Sequence, residues 1–302
     1  MTQSFPPGEQ IYLPFESGPY RMAMALTTVP ERAWFEIDER YTDEMAERRR
    51  LLERQHDDVF GALPSSDAAR AETLREVVAN LTTHAAQWFT RSGEYLHNVL
   101  ANETWDLARL PCDPLELAGR LVQEDLCIIQ RDDTGPVFTA AVLCFPSRWR
   151  LHEKLGKPLL LVHERVPFYG ERLAAPVDRF MAKVKPEHIA SRLNWSVLDD
   201  PAMFQPTGKW REQRNSDITA ENAGARLYLR VERQTFRRLP QSGAILFGIR
   251  VHSYPLERAI TTTAAALRLA EAVRALPDET VHYKSLKVFG PALLGWLDAR
   301  SQ

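Results

Sequence analysis

Two stretches of the chain gather side chains capable of chemistry. The first runs Cys144-Phe-Pro-Ser-Arg-Trp149, then Glu153-Lys154-Leu-Gly156, then Leu161-Val-His163-Glu-Arg-Val-Pro167. His163 follows the apolar run 159–162 and precedes a proline loop, so its imidazole is aimed at a pocket from the end of a buried segment. There it is either a hydrogen-bonded structural histidine, the commoner case, or a metal ligand. Cys144 also ends an apolar run; its thiolate suits a soft metal ion, although a small buried hydrophobe is the ordinary role. Trp149 and Trp195 read as core aromatics. The second stretch is charge on strands: Arg192 and Asn194 alternate with Leu193 and Trp195, and Arg230, Glu232 and Gln234 alternate with Leu229 and Val231. Such a face is either solvated or lines a polar cavity in which Arg–Glu pairing offsets desolvation. Arg237 and Arg238 add charge just before a turn.

Those residues need elements to hold them. Residues 189–198 alternate as a strand, with Arg192, Asn194 and Ser196 opposite Leu193, Trp195 and Val197. The clearest hairpin runs from Arg226 to Phe236, turns at Pro240-Gln-Ser-Gly243, and returns through 244–251. Further strands are expected at 126–129 and 137–145, joined by a turn over 132–136, and at the apolar run 159–162. Upstream the pattern is helical. Thr42 is the expected N-cap of a helix containing Met45, Leu51 and Leu52. On it, Arg48, Arg49 and Arg50 lie among Glu44, Glu47 and Glu53 as a solvated face, with partner docking the sharper alternative. Ser65-Ser66-Asp67 opens a second helix from Ala68 to about Phe89, and 115–121 forms a third. An Ala/Leu-rich helix over 261–276 follows the sheet. The expectation is α+β, one unit over 1–302: a mostly helical part (1–121), a mostly antiparallel sheet (122–255) and a helical end (256–302).

Composition sets the bounds. The chain has 302 residues, 44% hydrophobic, and 38 Lys+Arg against 40 Asp+Glu leave a formal charge of -2. So near a balance supplies no global field for nucleic acid or an anionic membrane. No run of eighteen apolar residues occurs, and Met1–Gly8 lacks the apolar core of a signal peptide. Three scattered cysteines fit neither a zinc site nor a disulfide framework and point to a reduced, cytosolic setting. No GxGxxG, GxxxxGK[ST], GxSxG or HExxH motif is present, which weakens the case for common nucleotide-dependent or hydrolytic chemistry.

Taken in order, the motifs at 144–149, 153–156 and 163–167, Arg-Leu-Asn-Trp (192–195) and Leu-Arg-Val-Glu-Arg-Gln-Thr-Phe-Arg-Arg-Leu-Pro (229–240) resemble the haem-dependent oxidative N-demethylase alpha-subunit-like family. Trp34-Phe-Glu-Ile-Asp38-Glu-Arg-Tyr41 extends the resemblance toward the start of the chain. Arg165 stands where the family's His-x-Pro-Val-Pro motif has its first proline.

The resemblance implies a PAS-like sheet holding haem b, with His163 as the iron ligand. It makes Lys154, Arg192, Arg230, Arg237 and Arg238 candidates for the propionates, and Phe145, Leu161 and Trp195 candidates for the ring's apolar walls. It also implies reductive activation of O₂. Arg192 or Arg230 would stabilise negative charge on oxygen, and Glu232 would pair with a small cationic amine that loses its N-methyl group as formaldehyde. Because the sequence has no flavin fingerprint and no iron–sulfur cysteine spacing, electrons would come from separate flavin/iron–sulfur reductase subunits. The competing expectations are a PAS-like haem-binding sensor or binding module, and a scaffold that has lost its haem.

Overall fold

Where alternation is strictest the sheet is built. The computed structural model describes residues 10–133 and 135–301; Met1–Gly8, and Thr134 of the expected turn, lie outside the described residues. The strands in chain order are β1 (Thr27–Val29), β2 (Phe60–Ala62), β3 (Phe89–Ser92), β4 (Tyr95–Asn98), β5 (Glu103–Asp106), β6 (Asp125–Asp132), β7 (Gly135–Val142), β8 (Ile189–Leu198), β9 (Tyr228–Arg238) and β10 (Ile245–Pro255). Seven of them pair antiparallel in the order β1-β8-β9-β10-β6-β7-β2, while β3, β4 and β5 form a small second sheet. Helices precede, interrupt and follow the large sheet, so the fold is α+β.

Register decides which side chains meet. Arg192 pairs with Gln234, Asn194 with Glu232 and Ser196 with Arg230, so these six share one face of β8 and β9. Leu229, Val231 and Arg233 take the opposite face, with Leu193, Trp195 and Val197. The β9–β10 turn closes with Leu239 N donating to the Ala244 carbonyl at 2.8 Å, and Gly243 supplies a φ of 70°.

Both faces are covered. Val197, Leu229 and Val231 pack with Leu269, Leu293 and Trp296 of the C-terminal helices Thr263–Arg274 and Gly290–Asp298. Burying each such side chain contributes about 1.5–3 kcal/mol. Leu126, Ile128 and Leu246 belong to a second cluster with Met45, Val77 and Leu117 of the N-terminal helices. The Trp34–Asp38 motif lies on the hydrophobic face of β9 and β10, and its role there is ionic. Glu36 meets Arg233 at 3.1 Å and His252 at 3.0 Å, and Asp38 meets the buried Arg250 at 2.6 Å. Glu44, from helix Tyr41–Arg54, meets Arg250 at 2.7 Å.

Several local expectations need correction. Residues 159–162 form a helical turn, not a buried strand, with Leu160 and Leu161 54% and 47% exposed. Four apolar residues carry no period by which to choose, and Pro158 pre-sets the backbone for a helix start. Arg48 is not solvated: it is fully buried, 3.1 Å from Asp125 and 4.8 Å above the Phe145 ring. Arg49 and Arg50 do face outward, paired with Glu103 and Glu47. The first helix starts at Tyr41, with Arg40 rather than Thr42 in the capping position. The second helix spans Asp67–His84, and Phe89 already belongs to β3.

Candidate functional site

His163 ends the helical turn Leu159–Val162, where its backbone N–H donates to the Leu159 carbonyl at 3.1 Å. Its Nδ1–H donates to the same carbonyl at 2.8 Å. That bond fixes the tautomer and leaves the Nε2 lone pair without a partner among the described residues. Tyr169 stacks on the ring, centroids 4.3 Å apart and planes 13° from parallel. Burial, followed by the charges of Lys154, Lys209 and Arg192, pushes the imidazole pKa down to about 4 against the pull of the Leu159 bond. The ring is neutral at physiological pH, as a ligand must be. Lys154 reaches across to donate to the Val162 carbonyl and lies 5.5 Å from the Trp149 ring, so it braces the turn that orients His163.

Glu232 is the carboxylate of the site. Burial works to raise its pKa, but hydrogen bonds from Ser147 and Asn194, the Arg230 charge and the Gln234 amide outweigh it and hold the carboxyl below its ordinary range. The Gln234 amide lies at 2.8 Å and that of Asn194 at 3.3 Å.

The two candidate arginines differ. Arg230 is fully buried, and its guanidinium donates to Ser147 Oγ at 3.0 Å and to the carbonyls of Phe145, Ala202 and Met203 at 2.8–3.1 Å. It clasps two loops and supports Glu232 through Ser147. The Arg192 side chain makes no hydrogen bond among the described residues, and its Nε is buried without a partner. Its charge is left to act within the site.

Sequence reasoning missed three residues here. Lys209 donates to the Tyr283 hydroxyl, and Lys284 donates to the Trp195 carbonyl at 2.7 Å. Lys209, Tyr283 and Lys284 all feel the Glu232 charge. Burial first, then neighbouring cations, pushes Lys154, Lys209 and Lys284 down to about 8. Lys209, Lys284, Arg192 and Arg230 thus all feel one carboxylate, Glu232, and the excess of positive charge suits an anionic ligand.

The remaining expected site residues are not brought together with His163. Arg237 lies on the other face of β9, 2.7 Å from Glu31, 3.4 Å from Glu76 and 4.3 Å from the Trp34 ring. Arg238 is on the site's face but several residues further along, where its guanidinium donates to the carbonyls of Val184, Met181 and Gly243. The Trp195 ring turns to the opposite face, 5.7 Å from Phe15, although its carbonyl receives Lys284. Phe145 is buried beneath Arg48, and Leu161 is exposed. Cys144 is buried, and burial first raises its thiol to about 12, which fits the ordinary role of a small buried hydrophobe.

Beside His163, residues 164–171 with Trp210, Glu279 and His282 line a cleft of about 590 Å³. Tyr169 serves both sides, as a wall of the cleft and as the ring stacked on His163. Among the described residues no helix is long and apolar enough to cross a membrane.

Comparison with known families is direct. Residues 25–294 match the family described as haem-dependent oxidative N-demethylase, alpha subunit-like, a span holding every motif quoted above. The chain belongs to the haem-dependent oxidative N-demethylase alpha-subunit-like family.

Proposed function

We propose that this chain is the haem-binding catalytic subunit of an enzyme that oxidatively removes an N-methyl group from a small amine. One observation carries the proposal: a neutral His163, its Nδ1–H fixed by Leu159 and its Nε2 without a partner among the described residues, feels the charge of Arg192, which in turn feels the anionic Glu232. The donor set fits haem. Imidazole nitrogen is an iron ligand of the ordinary kind, and the positive excess from Lys209, Lys284 and Lys154 suits two propionates. When bound, the haem supplies the iron at which O₂ is reduced.

The chain's own groups then divide the work. His163 would hold the iron, and Lys154 holds the turn behind it. Arg192 stabilises negative charge developing on oxygen through a charge-assisted hydrogen bond. Glu232, kept ionised by Ser147, Asn194 and Gln234, pairs with the cationic amine and positions it. Two electrons from a partner subunit, two protons and O₂ convert N–CH₃ to N–CH₂OH plus water, and the hydroxymethyl amine collapses to formaldehyde and the demethylated amine. An alpha subunit implies other subunits, and a reductase carrying flavin and an iron–sulfur cluster is the partner this chemistry requires.

The test is spectroscopic. Full-length protein supplied with haem develops a Soret band, His163→Ala loses or shifts it, and dimethylamine perturbs it. Absence of the band in the parent protein sinks the proposal, and a band indifferent to the His163 substitution removes the ligand assignment.

A further inference from the structure

One hydroxyl joins the two segments that bring Lys209 and Lys284 together. Lys209 lies on the loop between β8 and the helical turn Ala223–Arg226, and Tyr283 and Lys284 stand at the end of helix Asp278–Tyr283. Ser285 follows them at once and is fully buried. Its Oγ donates to the Gly208 carbonyl at 3.1 Å and accepts from the Arg211 backbone N–H at 3.1 Å, so its two bonds bracket Lys209. Between the same segments the Lys209 ammonium lies 4.2 Å from the centre of the Tyr283 ring and donates to the Tyr283 hydroxyl. Arg148 reaches the Gly208 carbonyl at 3.1 Å, and Arg211 pairs with Asp199 at 2.9 Å, which ties the loop from its other side.

Backbone conformation separates a positioning role from that of an ordinary turn residue. The residue just past a helix end often adopts a left-handed φ, and glycine is its usual occupant. Ser285 holds that conformation at a φ of 57°, and across the clamp Trp210 does so at 64°. A side chain at such a φ costs stability, so serine in place of glycine implies a compensating contact. The two bonds to the 208–211 loop are that contact. We infer that Ser285 is a positioning residue: its hydroxyl seats the loop on the end of helix Asp278–Tyr283 and so presents Lys209 beside Tyr283 and Lys284. It acts through the backbone on either side of Lys209. That these cations hold an anionic cofactor rests on the functional proposal above; the clamp itself does not.

The test uses full-length protein carrying lysine labelled with ¹³C at Cε. In the parent the Lys209 Hε signal, assigned through Lys209→Arg, should lie upfield of the ordinary lysine position because of the Tyr283 ring, and Tyr283→Leu should return it there. Ser285→Gly removes the hydroxyl but suits the backbone, so the lysine signals outside the pocket should stay while that of Lys209 moves to the ordinary position. Ser285→Ala, which keeps the Cβ and lacks only the oxygen, should move it likewise. Loaded with haem, both variants should pass it to apomyoglobin about tenfold faster than the parent does. A Lys209 signal that stays in place in either variant overturns the inference, as does haem loss at the parental rate once that signal has moved. A parent chain without a Soret band removes the functional proposal, and the lysine signal still reports on Ser285 by itself.

Discussion

Arg192 and Arg230 share a sheet face, yet their surroundings give them different work. Arg230 is bound to carbonyls on two loops, so Arg230→Ala leaves several buried acceptors without a donor. It should cost about 3 kcal/mol of stability, read as a lower thermal midpoint. Arg192→Ala removes a side chain that makes no hydrogen bond among the described residues, and should lower that midpoint far less than Arg230→Ala while lowering amine turnover about a hundredfold. Equal thermal losses in the two variants would erase the distinction. His163 gives a pH signature. Its folded pKa of about 4 lies below the ordinary 6.5, so between these values the unfolded chain binds a proton that the native chain refuses. Stability from this residue is complete above pH 6.5 and is lost as pH falls toward 4. His163→Asn should flatten that part of the acid-denaturation curve.

At the level of elements, the β8–β9 face was legible and its covering was not. Alternation alone puts Glu232 with Arg230 and Gln234, and Arg192 with Asn194, but that the two strands are neighbours appears only in the structure. The same parity separates Arg237, an odd position among even ones, although its charge reads like that of its neighbours in the chain. Nothing local marks Lys209, Tyr283 or Lys284, which arrive from a loop and from the end of helix Asp278–Tyr283 through long-range packing. Arg48 reads as solvated because i,i+4 charge patterns describe a helix alone, not the sheet that comes to lie on it. Residues 159–162 mislead because so short an apolar run has no period. Packing of helix Pro114–Gly119 supplies a sharper test: a Cβ on Gly119 would meet Val142 Cγ1 of β7 at 2.4 Å. Gly119→Ala should therefore destabilise by about 1–3 kcal/mol, measured by chemical denaturation. No change in midpoint would mean that helix and sheet separate more easily than their contact implies.

Across the whole molecule a formal charge of -2 conceals a local gathering of lysines whose burial holds their pKa values down. Lys154, Lys209 and Lys284 titrate near 8, below the usual 10.5. Below pH 8 they are protonated in both folded and unfolded chains, and their burial cost is present in full. As pH rises from about 7.5 to about 9, the native chain sheds these protons first, so the chain without an anionic ligand should gain stability. Above that range the raised thiols of Cys112 and Cys144 act in the opposite sense. A dianionic cofactor should restore the lysines' charge, so loading haem at pH 8 should take up protons. Calorimetry in buffers of different ionisation enthalpy measures that uptake, and buffer-independent heats would contradict it.

Lys284 has one more consequence. β1 pairs with β8 only at Ile189, Ala190 and Ser191, so beyond Ser191 the outer rim of β8 has no strand beside it among the described residues. The ammonium on the Trp195 carbonyl occupies that rim where another chain's backbone would otherwise add a strand. The charge that prepares the pocket for an anion therefore also satisfies a strand carbonyl that β1 does not reach. Lys284→Met leaves the Trp195 carbonyl without its donor, and should be felt first as a lower thermal midpoint, before any measurement of cofactor binding began.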